Sequence, residues 1–303
     1  MMKTKTVADL AASLSDNGMA SKLKEGRGSC NVFKILHMGR DAVVKIGVDD
    51  IGRAEISSNL ASYSEMEKIN VARIVAPKIF ENNGTGDLPY IIMEYLGKDF
   101  RTNANQDNIM DMTRTMIDRL KEVYISSIEL DHESSKKWLE GRRSDLIRYF
   151  TVHLIPFGFG SISDIDTLKR LDIVSLAPKY IAWATRDFTP DNIFINGDRL
   201  TYIDGKGDAR GVPLLDLAMF TTLTGEVYGL PNGVKSAEAA RSFAMEIGKD
   251  LLRTPYSEEL FKLGEAFQYS LSVRFRKEKD QRSPAFVESI RRNLNDIIVA
   301  TKR

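Results

Sequence analysis

Residues 181–204 constrain this chain more than any other stretch. Ile181 to Ala184 is apolar and strand-like, Asp187 to Asn192 is polar, and the turn residues Asn196, Gly197 and Asp198 join two short apolar runs into a hairpin. The second run, Leu200 to Ile203, ends on Asp204. A short, stiff β-framework therefore carries Asp187, Asn192 and Asp204. Such a set can divide the work of phosphoryl transfer: one carboxylate orients a hydroxyl, while an amide and a second carboxylate hold Mg²⁺.

Composition narrows the classes of function. A chain of 303 residues, 43% hydrophobic and 28% charged, can bury a large core as one large domain or two lobes. With 43 basic against 42 acidic residues, the net charge of +1 provides no field that would favour nucleic acid or a membrane surface as partner. The single cysteine, Cys30, rules out an intrachain disulfide and fits a reducing compartment. No apolar leader and no run of about 18 apolar residues occurs, so a cytoplasmic location is expected.

The rest of the chain frames the central stretch. Val7, Leu10, Ala11 and Leu14 recur at helical spacing before Asn17-Gly18 breaks the pattern. Three strands are then predicted around a turn at Gly39-Arg40, preceded by the glycine-containing segment Gly26-Arg27-Gly28-Ser29. Glycines let a backbone approach phosphates closely, although a plain hairpin would read the same way. Lys45 interrupts the apolar strand 42–46, and a lysine among buried positions needs a polar partner. Ile51 to Lys68 is helical in pattern and offers Glu55, Glu65 and Glu67 as that partner. Glu55, set one residue before the apolar stripe, is preferred.

Residues 74–80 and 88–97 follow, the latter a strand ending at a glycine turn. Past Gly97 the pattern turns helical over 107–153, with Met and aromatic positions that read as core. A loop at 157–163, a short helix over 165–177, a glycine loop after Asp204, an apolar helix from Leu214, and three helices over 236–300 complete the chain. The change of character at Gly97 predicts two lobes, 1–97 and 98–303.

Several of these segments resemble one family. Arg186-Asp187-Phe-Thr-Pro-Asp-Asn192-Ile-Phe-Ile looks like the catalytic loop of the protein-kinase-like superfamily, with an Asp and, five positions on, an Asn. The Asp-Phe-Thr-Pro wording is closest to the aminoglycoside phosphotransferase and choline-kinase-like branch. Val43-Val44-Lys45 is similar to that superfamily's nucleotide-binding lysine strand, and Tyr90 to Gly97 looks like its hinge. Ile203-Asp204-Gly205 stands at the metal-binding Asp, and Leu214-Leu-Asp216-Leu-Ala is similar to the branch's structural Asp motif. The resemblance spans residues 26–218.

It implies an α+β, two-lobed protein-kinase-like fold with a small antiparallel-sheet N-lobe and a mainly helical C-lobe. It also implies ATP and Mg²⁺ as cofactors, and transfer of the γ-phosphoryl group to a hydroxyl. By resemblance, Asp187, Lys45 and Glu55 are catalytic. Gly26, Gly28, Ser29, Lys45, Met93, Glu94 and Leu96 would bind the nucleotide, and Asn192 and Asp204 the metal.

Departures from the pattern leave two other readings open, a Ser/Thr protein kinase and a catalytically silent nucleotide-binding protein. Thr185-Arg186 replaces the usual His-Gly pair, Asn31 replaces the third glycine of the phosphate loop, and Asp204-Gly205 lacks the aromatic of Asp-Phe-Gly. Asp216 follows Asp204 by only 12 positions, with no Ala-Pro-Glu between them, which favours a small-molecule acceptor over a polypeptide. Residues 231–303 carry fourteen Lys/Arg against ten Asp/Glu, a balance that does not favour a polycationic acceptor.

Overall fold

The computed structural model describes residues 6–24, 29–69, 74–205, 210–275 and 283–302. Helix α1 (Val7–Ser13) starts at Thr6, whose hydroxyl accepts from the Asp9 amide while the Asp9 carboxylate accepts from the Thr6 amide. Strands β1 (Ala20–Lys24), β2 (Cys30–His37) and β3 (Arg40–Gly47) follow, then the 20-residue helix α2 (Asp50–Ile69). Next come β4 (Ile74–Val75), β5 (Ile79–Asn83) and β6 (Tyr90–Glu94). Strands β1, β2, β3, β6 and β5, in that order, make a five-stranded antiparallel sheet.

The period of two in β3 decides what each face of this sheet does. Ala42, Val44 and Ile46 pack with Phe33, Ile35 and Ile92 under Ala11 of α1. Val43 and Lys45 face the other way, where Ile91 and Met93 join Ile56, Tyr63 and Met66 of α2 in the main core. Lys45 is therefore placed on the α2 side by strand geometry alone.

The helical remainder runs α3 (Phe100–Asn103), α4 (Ile109–Ser127), β7 (Glu129–Leu130), α5 (His132–Tyr149), α6 (Ile162–Lys169), α7 (Ile173–Leu176) and β8 (Tyr180–Trp183). The hairpin β9 (Ile193–Asn196) and β10 (Arg199–Tyr202) precedes β11 (Arg210–Gly211) and the helices α8 (Pro213–Thr222), α9 (Gly233–Glu246), α10 (Ser257–Phe275) and α11 (Ser283–Thr301). Every residue of α8 is buried, which makes it the axis of this part. At Gly264 of α10 a Cβ would come within 2.8 Å of Leu215 and 2.7 Å of Ala218, so only glycine allows so close a crossing.

Two expectations are refined. The helix expected over 165–177 divides into α6 and α7, because the Asp172 carboxylate accepts from the Ser175 amide at 3.1 Å and hydroxyl at 2.6 Å and starts a new helix there. Ile74–Val75 leaves its neighbours before Pro77 and pairs parallel with β10, so a small sheet β4-β10-β9 joins chain from either side of Gly97. The third sheet, β11-β8-β7, holds the strand that leads into the 185–192 loop. Among the described residues, no helix is long and apolar enough to cross a membrane.

Candidate active site

Helix α2 and strand β3 converge on one ammonium. Glu55 and Asn59 are four residues apart, so both side chains leave the same face of α2. Lys45 Nζ lies 2.6 Å from Glu55 Oε1, 2.6 Å from Asp204 Oδ1 and 2.9 Å from Asn59 Oδ1. All three of its donors are used. Lys45 is only 4% exposed; burial opposes its charge, but Asp204 and Glu55 outweigh burial and hold the ammonium above the ordinary lysine range. Of the three glutamates offered by sequence, it is Glu55 that reaches Lys45, while Glu65 pairs with Lys68 on the same helix. Cys30 is buried nearby, and burial, with Glu55, pushes its thiol up to about 12, the mark of an unreactive filler.

The loop after β8 is held from below. Asp216, one turn into α8 and 1% exposed, accepts on Oδ2 from the Thr185 amide, from the Thr185 hydroxyl at 3.0 Å and from the Arg186 amide at 3.2 Å. The Thr185 hydroxyl in turn accepts from the Asp187 amide at 3.2 Å. Buried Arg142 of α5 donates to the Arg186 carbonyl at 2.9 Å and stands 3.9 Å from Asp216 Oδ1. Burial pushes the Asp216 carboxyl up and the Arg142 guanidinium down, and their mutual attraction opposes both shifts.

These bonds explain Thr185-Arg186. Thr185 supplies a hydroxyl that links Asp216 to Asp187, and Arg186 takes φ +64°, a left-handed conformation that suits glycine far better. Its guanidinium lies 6.0 Å over the Trp138 ring. Phe188 is fully buried against Trp183, Tyr202 and Phe220, which pins the loop on the side opposite its polar groups.

Two further bonds meet at the Asp187 carbonyl, from Tyr202 Oη at 3.0 Å and from Asn192 Nδ2 at 3.1 Å. With Nδ2 so engaged, Oδ1 is the side-chain atom of Asn192 that can serve as a hard ligand. The Ile203 amide donates to the Asn192 carbonyl at 3.0 Å, which sets Asp204 beside Asn192. Asp204 itself has φ +61° and donates its amide to Tyr63 Oη at 3.3 Å. An amide oxygen and one carboxylate fit Mg²⁺, which takes few protein ligands and fills its octahedron with water and phosphate oxygens. No group of three His, Cys, Asp or Glu among the described residues is placed to hold a metal ion, and Mg²⁺ bound in this way would need none.

The remaining expected residues are placed as follows. Met93 is buried on β6, and Gly97 turns the chain at φ +82°. Glu94 ties strands together, since its amide donates to the Lys78 carbonyl and its Oε1 accepts from the Lys78 amide at 2.9 Å and from Arg199 at 3.1 Å. The Leu96 carbonyl accepts from Asn196 at 3.4 Å. The Ser29 carbonyl accepts from the Val48 amide at 2.9 Å, and Gly26 and Gly28 lie outside the described residues. Asn31 is paired with Ile46 inside β2, so it belongs to the sheet.

Sequence reasoning missed Asn59, Tyr63, Arg142 and Tyr202, and a cluster at Asp191. Asp191 lies 3.1 Å from Arg101 of α3 and accepts from the Tyr228 hydroxyl, while Arg101 stacks 4.0 Å over the Tyr228 ring. Spacing from Glu55 could have flagged Asn59 and Tyr63, which follow it by four and eight residues on one helix face.

The fold is a protein-kinase-like architecture, which it shares with solved structures of small-molecule phosphotransferases. Solved structures with this fold include a protein assigned as a fructosamine-3-kinase from Haemophilus somnus 129PT, with TM-score 0.62 and 14% identity over 92% of this chain and 90% of that one. A thermostable mutant of aminoglycoside phosphotransferase APH(4)-Ia matches with TM-score 0.62 and 13% identity over 93% and 94% of the two chains. A ternary complex of that protein with ADP and hygromycin B matches at TM-score 0.58 and 14% identity, over 93% and 94%. No protein-family model and no curated protein matches the sequence.

Proposed function

We propose that the protein is an ATP-dependent phosphotransferase that moves the γ-phosphoryl group of Mg-ATP to a hydroxyl of a small molecule. The observation that carries this reading is the convergence of Lys45, Glu55 and Asp204 within 2.6 Å contacts beside the Asp187–Asn192 loop. Lys45 is poised to exchange its bond to Asp204 for nucleotide phosphates while Glu55 keeps it oriented. Asn192 and Asp204 would hold Mg²⁺, which would supply charge neutralisation to the transferring group. Asp187 orients the acceptor hydroxyl and takes its proton, and the bonds that fix its backbone set the attack geometry. Glycine-rich residues 26–29 and the backbone of Met93, Glu94 and Leu96 serve the nucleotide.

The relatives of this fold support the reading, since one is solved with ADP and hygromycin B together. The short run from Asp204 to Asp216 supports a small acceptor. ADP release from Mg-ATP, measured over sugars, amino alcohols, nucleosides and aminoglycosides, tests it. One acceptor class raises turnover, and Asp187→Asn lowers that turnover by roughly 10²- to 10⁴-fold. Equal rates for the variant and the wild type would remove Asp187 from the chemistry.

A further inference from the structure

The Asp204-Gly205 pair lacks the aromatic that follows this Asp in protein kinases, and the structure supplies a different tether. Asn59 is 1% exposed and polar, in the face of α2 that otherwise carries Ile56, Tyr63 and Met66 into the core. A buried amide persists there only if its groups are satisfied. Its Oδ1 accepts from Lys45 Nζ at 2.9 Å and its Nδ2 donates to the Gly205 carbonyl at 3.1 Å. The same helix face continues with Ser62 and Tyr63. Tyr63 Oη accepts from the Asp204 amide, and Ser62 sits so close to Gly205 that a Cβ there would come within 1.9 Å of its hydroxyl oxygen.

We propose that Asn59 is a positioning residue that fastens the Asp204-Gly205 segment to α2, so that Lys45, Glu55 and Asp204 are carried as one rigid unit with that helix. The inference rests on the phosphotransferase reading for its consequence in Mg-ATP binding, though not for the tether itself. Glu55 and Asn59 would keep Lys45 oriented if its bond to Asp204 were exchanged for phosphate, and Asn59 and Tyr63 would hold the backbone from which Asp204 could serve a metal. Asn59 touches neither phosphate nor metal; it acts through Lys45 and Gly205.

Two measurements on the full chain test this. Hydrogen exchange at residues 203–205 in the ligand-free protein reads the tether directly. Asn59→Leu, similar in volume, and Asn59→Asp, which keeps the acceptor for Lys45 but loses the donor to Gly205, both speed exchange there by about 10-fold or more. Ser57→Ala, exposed on the same helix, does not. Unchanged exchange in both Asn59 variants overturns the proposal.

The second measurement is the Mg²⁺ concentration that gives half of the ATP-induced rise in melting temperature. It increases by about 10-fold or more in Asn59→Leu, the size typical of losing an outer partner of a metal ligand. A wild-type Mg²⁺ dependence in that variant also overturns the proposal. If the wild type itself gains no stability from Mg-ATP, the phosphotransferase reading falls, while the exchange measurement still decides the tether.

Discussion

Lys45 and Asp216 are both buried charges at the site, yet they are held in opposite ways. Lys45 is surrounded by three side chains, two of which, Glu55 and Asp204, are themselves more than a third exposed. Asp216 is enclosed, and its Oδ2 takes two amides and a hydroxyl of the segment it supports, while its buried Oδ1 has only the Arg142 guanidinium at 3.9 Å. Side-chain ion pairs can exchange partners when a ligand arrives, whereas a carboxylate oxygen bound by two backbone amides holds the chain that carries them. The first region is built to rearrange and the second to keep Asp187 in place. On the proposed phosphotransferase reading, this division is what the chemistry would ask of the site, with a nucleotide that enters and leaves and an acceptor geometry that stays fixed.

The largest expected effect lies on the rigid side. Asp216→Ala leaves two amides and a hydroxyl without their buried acceptor and Arg142 without its counter-charge, and should cost about 3–5 kcal/mol, read as a fall in denaturation midpoint. A loss no greater than that of a surface substitution would break the contrast. On the exchangeable side, Gly205→Ala forces a methyl onto Ser62 and should cost about 1–3 kcal/mol. The double variant with Ser62→Gly should recover most of that loss, because the obstruction is a single side chain.

Arg186→Gly should move the other way. It relieves a left-handed non-glycine residue, worth about 1–2 kcal/mol, and gives up a distant stacking contact with Trp138. A gain of about 1 kcal/mol in chemical denaturation is expected. Smallest is a pH effect at Lys45. Its folded pKa lies above the unfolded value, so the stability it contributes is complete below about pH 10.4 and is lost only as pH rises beyond that. The melting-temperature gap between wild type and Lys45→Met should therefore be flat from about pH 6 to about pH 9 and close only in strong alkali.

The same contrast explains what the sequence made legible. Asp187, Asn192 and Asp204 stand out because their spacing on a strand-loop-hairpin is local, and Lys45 because it interrupts an apolar strand. Glu55 could be ranked among three glutamates but not singled out, since only the packing of α2 on the sheet brings it to 2.6 Å. Asn59 escaped because its spacing from Glu55 shows only a shared helix face, and its two partners, 14 and 146 positions away, come from packing. The pairing of β4 with β10 joins Ile74 to Leu200, and such non-local contacts leave no periodicity to read. Thr185-Arg186 looked like a loss in sequence. The structure shows a substitute, in which a hydroxyl and a strained arginine keep the loop tied to Asp216.

A segment's charge balance does not describe each of its cavities. Residues 231–303 are basic in total, yet a cavity of about 180 Å³ among α8, α9 and α10 is lined by Glu226, Glu238 and Glu265 around Arg241. Burial raises the Glu265 carboxyl above its ordinary range. A tally over a segment averages solvated faces with enclosed ones.

The most direct test compares Asp204→Asn with Asp187→Asn in one assay, the rise in melting temperature on adding Mg-ATP. Asp187→Asn is expected to be stabilised as much as the wild type although its turnover is lost, and Asp204→Asn to gain little or nothing. Equal stabilisation of both variants, or loss of it in Asp187→Asn alone, would contradict the division between a region that takes the nucleotide and a region that does the chemistry.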